Sequence, residues 1–194
     1  MKLFGPLYDR VMGWSRHPRA PRYLAALSFA ESSFFPVPPD VMLAPMAAAR
    51  PDQGLRLALI TTLFSVLGGL AGYLLGHLAF EAITPWIEQA GHGGDLEQAR
   101  DWFRQWGVWV VLVAGFSPIP YKLFTLTAGA MAMPLVPFVL ASMIGRGARF
   151  FAVALIIAAV GPRIEPRLRP YMEWIGWSTV VLLAVAVVIY QVQG

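Results

Sequence analysis

Five charged residues stand inside otherwise apolar stretches of the chain: Glu31, Asp40, Lys122, Arg146 and Arg149. An ionised side chain at bilayer depth costs about 2.5–3.5 kcal/mol on insertion scales, so such groups normally face one another or a wet cavity. Arg146 and Arg149 are three residues apart, a spacing that puts both on one helix face, where they could grip a phosphate or bind two carboxylates. Glu31 and Asp40 could carry protons, because a carboxylate held away from water takes one up more readily. Two plainer roles compete. The carboxylates could simply neutralise the arginines in a structural ion network, and a site can be ion paired when empty. Asp40 could instead cap the helix that restarts after Pro38-Pro39. His77 and Glu81, four apart, read as an interfacial pair, and Gly68, Gly69 and Gly72 suit close helix packing.

Catalysis is not expected. The chain has no cysteine, its three histidines (His17, His77, His92) are scattered, and Ser32, Ser33, Ser65, Ser117 and Ser142 lack a plausible histidine base. Neither a nucleophile with its base nor a metal-ligand cluster stands out, so no metal and no cofactor are expected.

The elements that must position these charges are membrane helices. With 57% hydrophobic residues, 13% charged residues and a mean hydropathy of +0.59, too little polar surface is available to cover a soluble globule. Residues 1–16 carry Leu3, Phe4, Leu7, Tyr8, Val11 and Met12 at helical spacing with charges between them, so 1–22 is read as an interfacial N-terminal segment. It is expected to stay in the mature protein, because no uninterrupted apolar core marks it as a signal. Residues 24–49 are apolar but interrupted by Pro36, Pro38, Pro39 and Pro45, which predicts a broken, re-entrant helical hairpin. Residues 57–80 predict a transmembrane helix and 81–105 an amphipathic linker on the opposite interface. The apolar run 107–145 is about twice what one crossing needs and is divided by Pro118, Pro120 and Pro134. It reads as a second hairpin over 107–132, followed by a transmembrane helix over 135–161. A C-terminal transmembrane helix is predicted over 174–190.

Outside the apolar segments, ten Lys/Arg (Lys2, Arg10, Arg16, Arg19, Arg22, Arg50, Arg56, Arg163, Arg167, Arg169) stand against Arg100 and Arg104 in the middle linker. If both hairpins are re-entrant, the ten share one side, which the positive-inside rule makes cytoplasmic. If both segments crossed fully, Arg50 and Arg56 would change places with the linker pair and the split would stay ten to two. The cytoplasmic N-terminus follows either way. A net charge of +4 placed beside apolar segments suits anionic lipid headgroups and gives no reason to expect nucleic acid.

The two halves repeat. Pro36-Val37-Pro38-Pro39-Asp40 matches Pro118-Ile119-Pro120-Tyr121-Lys122 at an offset of 82, aligning Asp40 with Lys122. Ser65-Val66-Leu67-Gly68-Gly69-Leu70-Ala71-Gly72-Tyr73 matches Ser142-Met143-Ile144-Gly145-Arg146-Gly147-Ala148-Arg149-Phe150 at 77, so Gly69 and Gly72 become Arg146 and Arg149. The fold class expected is an all-α polytopic membrane protein. It would be an inverted repeat of two proline-broken hairpins, broken at Pro36, Pro38, Pro39, Pro118 and Pro120, each followed by a transmembrane helix. Transporters built this way place their substrate near the midplane, between the repeats.

Three ordered strings, Glu31-Ser32-Ser33-Phe34-Phe35-Pro36-Val37-Pro38-Pro39-Asp40, Gly115-Phe116-Ser117-Pro118-Ile119-Pro120-Tyr121-Lys122 and Gly145-Arg146-Gly147-Ala148-Arg149-Phe150, resemble the YqaA-like branch of the DedA family. Its shared region is also called the VTT or SNARE-associated domain, and the resemblance covers roughly residues 25–162. It implies two oppositely oriented re-entrant hairpins in the bacterial inner membrane and movement of lipids between leaflets, dependent on proton motive force. Glu31 and Asp40 match the family's acidic pair by position. The better-studied branch carries two arginines in its second hairpin where this chain has Gly115 and Tyr121, so Lys122, Arg146 and Arg149 would supply the positive charge.

The function expected is therefore a flippase- or scramblase-like transporter of an anionic phosphate-headgroup lipid. Lys122, Arg146 and Arg149 would bind the substrate, and Glu31 and Asp40 would couple protons. The partners are membrane lipids and protons, and a homo-oligomer is compatible with this reading. The alternatives are a structural or membrane-homeostasis protein without transport, and a proton-coupled carrier of a small solute.

Overall fold

The computed structural model describes residues 12–35, 37–89, 93–117 and 120–168, and among these the chain is helix, turn or loop with no strand. After a helical stretch at 12–15 come α1 Ala20–Ser33, α2 Asp40–Ala49, α3 Gly54–Gln89, α4 Gly93–Phe116, α5 Tyr121–Ala130 and α6 Leu135–Leu168, with a 3₁₀ turn at Pro51–Gln53. The predicted helix over 174–190, the first half (1–11) of the interfacial N-terminal segment, and Pro36 and Pro118 lie outside the described residues.

Proline decides where the helices stop and start. Pro21 opens α1, at a position where its missing N–H costs nothing. Pro38 and Pro39 cannot donate to a preceding turn, so α1 ends at Ser33 and the chain restarts at Asp40, with Pro39 flanking the new helix. Pro120 plays the same part before α5. Pro45 and Pro85 are tolerated inside α2 and α3.

Two stretches, Pro51–Ala82 and Leu135–Val160, are long and apolar enough to cross a membrane. They correspond to the helices predicted over 57–80 and 135–161. The 81–105 stretch, expected as an amphipathic linker with a break at Gly91-His92-Gly93-Gly94, is divided between the end of α3 and the start of α4. At 1.5 Å per residue α3 is about 54 Å long, well beyond about 30 Å of hydrocarbon. Its polar end therefore needs no helix of its own.

Contacts between elements follow a simple exchange rule. In the first half α1 packs along α3, while α2 packs on α6; in the second half α4 packs along α6, while α5 packs on α3. Each first arm thus lies on its own half's long helix and each second arm on the other's. Close approach is arranged alike in both halves. A Cβ on Gly68 would overlap the carbonyl of Phe29, and one on Gly145 the carbonyl of Leu112; Gly68 and Gly145 are partners in the sequence repeat.

The register of α1 on α3 rises together, with Ser28 Oγ donating to the Thr61 carbonyl at 2.6 Å, Ser32 Oγ meeting Ser65 Oγ at 2.8 Å and Ser33 Oγ donating to the Gly68 carbonyl at 2.9 Å. The beginning of α1 (Ala20, Leu24) and the latter part of α2 (Leu43, Met46, Ala47) share one apolar cluster with Leu57 and Ala58 at the start of α3 and with Phe150 and Ala154 of α6. A second cluster joins Phe103, Val111, Ala114, Tyr121, Ala128, Met133, Phe138 and Ala141.

Candidate functional site

Arg146 is only 1% exposed, an arrangement that is tolerable only if the charge is paired and its donors are used. Its Nη2 forms an ion pair with Glu31 Oε2 and donates to Ser32 Oγ at 3.2 Å, and its Nε donates to Ser65 Oγ at 2.6 Å. The guanidinium carbon lies 4.8 Å from the Tyr121 ring centroid and 4.7 Å from that of Phe150, so the cation also meets two aromatic faces. Ser32 Oγ donates to Glu31 as well, at 3.1 Å. Four elements build this box: α1 gives Glu31 and Ser32, α3 Ser65, α5 Tyr121, and α6 the arginine with Phe150.

One turn further along α6, Arg149 sits in a less enclosed place. Its Nη2 meets Asp40 Oδ2 at 2.6 Å and its Nη1 donates to the Ser117 carbonyl at 2.8 Å. Asp40 begins α2, just after the first chain break, and Ser117 follows α4, at the second. One guanidinium therefore ties the two breaks together. The capping role allowed to Asp40 is not adopted: Asp40 is the first residue of α2, Pro39 stands at the cap position, and the carboxylate is turned to Arg149. Its Oδ1 is buried without a hydrogen-bond partner.

The two arginines share a face of α6 but take different carboxylates. Four of the five intramembrane charges thus form two ion pairs. Lys122, in the first turn of α5, makes no ion pair among the described residues; it is half-buried, and its main-chain carbonyl accepts from Thr125 Oγ1 at 2.9 Å. Pro38 and Pro39 lie just before α2, and Pro120 just before α5. His77 and Glu81 pair at 3.3 Å, away from this site.

Sequence reasoning missed Ser32 and Ser65 as ligands of Arg146, and Tyr121 and Phe150 as its walls. Ser65 stood in the repeated string opposite Ser142, and Tyr121 stood beside Lys122, but neither spacing names a partner across helices. Ser142 instead bonds the Tyr121 hydroxyl, holding the ring against the guanidinium. Among the described residues no group of three or more His, Cys, Asp or Glu could hold a metal ion. An apolar groove of about 320 Å³, lined by Trp109, Val110, Val113, Ala114 and Phe124, lies between α4 and α5 and contains none of the charges.

Charges gather at two proline breaks between long apolar helices in an all-helical chain, and residues 35–159 match the VTT domain. The chain belongs to the VTT-domain, or DedA, family, and its family and apolar helices mark it as a bacterial membrane protein. It is 47% identical over 186 residues to an uncharacterised protein of Haemophilus influenzae, covering 96% of this chain and 97% of the relative. It is 46% identical over 192 residues to an uncharacterised protein of Histophilus somni, covering 99% of each. It is also 33% identical over 108 residues to undecaprenyl phosphate transporter A of Staphylococcus aureus, covering 53% of each chain. No solved structure matches.

Proposed function

We propose that this protein, a member of the YqaA-like branch of its family, moves a lipid with an anionic phosphate headgroup between leaflets of the bacterial inner membrane, and that proton uptake at Glu31 and Asp40 is coupled to that movement. The observation that carries the reading is the pairing of both α6 arginines with the two carboxylates of the first hairpin, at the place where Arg149 joins the two chain breaks. A phosphate can replace a carboxylate as the partner of a guanidinium. Protonating Glu31 and Asp40 would remove the competitors, and rebinding would expel the headgroup. Transport rather than catalysis is supported by the family and by the relative named as a transporter. That relative's named cargo is a lipid phosphate, which supports the substrate class and not a particular lipid.

The backbone supports hairpins that turn back partway. Ala20 and Met46, near the two ends of the first hairpin, pack at the same end of α3, and its break lies level with Ser65–Gly68, at the middle of the apolar stretch Pro51–Ala82. At about 15 Å each, the ten-residue α2 and α5 are too short to cross. We therefore take both hairpins as re-entrant, the two units as inverted, and the N-terminus as cytoplasmic.

The test is leaflet exchange of a fluorescent anionic phospholipid in proteoliposomes. Arg146→Ala and Arg149→Ala should each slow exchange at least tenfold; unchanged rates in both would overturn the phosphate role. A second reading, a structural protein whose charges only hold the fold, is favoured by the near-complete burial of Arg146. It expects Glu31→Gln to lower stability in detergent while leaving exchange at the wild-type rate.

A further inference from the structure

The two halves treat their intramembrane charges unequally. In the first half Asp40 stands in the first turn of α2, and the helix that α2 packs on supplies Arg149 as its partner. In the second half Lys122 takes the position matching Asp40, in the first turn of α5. The helix that α5 packs on carries Gly72 at the position matching Arg149. No side chain is there to answer the charge. A Cβ on Gly72 would run into Thr125 and approach the Ser32 carbonyl at 3.2 Å, so packing also keeps a larger acidic residue out of that position.

Lys122 is in a poor place for an uncompensated cation. The first turn of a helix presents the positive end of the backbone dipoles, which disfavours a lysine as much as it favours Asp40. α5 has no acidic residue in its first turn, and no ion pair or side-chain hydrogen bond of Lys122 exists among the described residues, whereas Glu31, Asp40, Arg146 and Arg149 all have partners. Yet it is next to Tyr121, which walls the Arg146 box, and Thr125 on the same helix reaches the carbonyl of Ser32 at 3.4 Å.

We infer that Lys122 is the resting anchor for the substrate's phosphate, and that the headgroup takes the place of the counter-charge missing from the second half before either arginine is released. This rests on the lipid-transport reading and adds an order to it: Lys122 captures, and Arg149 and Arg146 follow once their carboxylates let go. The ligand chemistry is a phosphate anion, either esterified in a lipid headgroup or as free inorganic phosphate.

The test measures binding, so it holds whether or not transport is seen. The full chain in phosphatidylcholine nanodiscs is titrated with phosphatidic acid, with and without inorganic phosphate, and bound lipid is counted by native mass spectrometry. Lys122→Gln should weaken phosphatidic acid binding at least tenfold. Lys122→Arg should stay within threefold of wild type, and so should Arg104→Gln, a control at an exposed pair with Asp101. Competition by inorganic phosphate at comparable concentration would support the Lys122 anchor with free phosphate as the source, and would count against the lipid reading alone. Binding by Lys122→Gln within twofold of wild type overturns the inference, as does a wild type that binds no phosphatidic acid. If Lys122→Gln binds weakly but leaflet exchange by wild type is absent, the anchor stands and the transport reading fails.

Discussion

At the residue scale, the Arg146 box is a buried charge held by several weak restraints at once, and its variants should separate charge from shape. Glu31→Gln leaves the guanidinium without its counter-charge in an enclosed place, and breaking a buried pair from one side costs about 3–5 kcal/mol. Replacing both, as Glu31→Leu with Arg146→Met, should recover most of that loss, because a well-packed apolar pair avoids the desolvation altogether. Thermal unfolding in a mild detergent checks both, and a double variant no more stable than Glu31→Gln would contradict the account. Ser65→Ala removes the acceptor for Nε and should cost about 1.5–3 kcal/mol, the range for a hydrogen bond to a charged group. All five charges were legible in the sequence, because an apolar segment makes each ionisable residue conspicuous. Which carboxylate meets which arginine was not. That depends on α6 crossing the first hairpin, with separations of 115 and 109 residues between partners, and no local spacing encodes such a pairing. The same holds for Tyr121 and Phe150, which look like ordinary apolar residues until the guanidinium is placed between them.

At the element scale, helix contacts depend on glycines where backbones nearly touch. Gly68→Ala should push α1 from α3, and Gly145→Ala should push α4 from α6, because each new Cβ meets a carbonyl rather than a movable side chain. The expected loss is about 1–3 kcal/mol for each, as for overpacking in a tight core. Gly94→Ala is the contrast: nothing lies within 4 Å of the added carbon, so the change should be neutral or stabilise α4 by up to about 1 kcal/mol. Equal effects at all three positions would show that helix propensity, not close approach, governs. The two long apolar helices were legible from hydropathy. The 81–105 stretch is less legible, because a polar helix end beyond the hydrocarbon and an interfacial helix have the same composition. Only the continuity of α3 to Gln89 and of α4 from Gly93 separates them.

At the scale of the whole molecule, the proposed topology makes an accessibility prediction that the chain is well suited to test, since it contains no cysteine. Single substitutions Arg19→Cys and Gln53→Cys should react with an impermeant maleimide from the cytoplasmic side, and Gln98→Cys only from the opposite side. All three positions are at least partly exposed. Labelling of Arg19→Cys and Gln53→Cys from opposite sides would mean that the first hairpin crosses fully. The repeat pointed to this arrangement through the matching strings, but the exchange of second arms between halves was not readable, because both long helices offer similar apolar faces.

That exchange has a consequence for synthesis. Glu31 and Asp40 are made more than a hundred residues before the arginines that neutralise them. At about 5–20 residues per second, the interval is about 5–20 s. During it the first hairpin must wait at the membrane with its carboxylates unanswered and with α2 lacking the surface it will pack on. A nascent chain stopped before Arg146 should therefore be degraded faster than one stopped after Phe150, and pulse-chase of the two truncations would show whether the late helix is what ends the waiting.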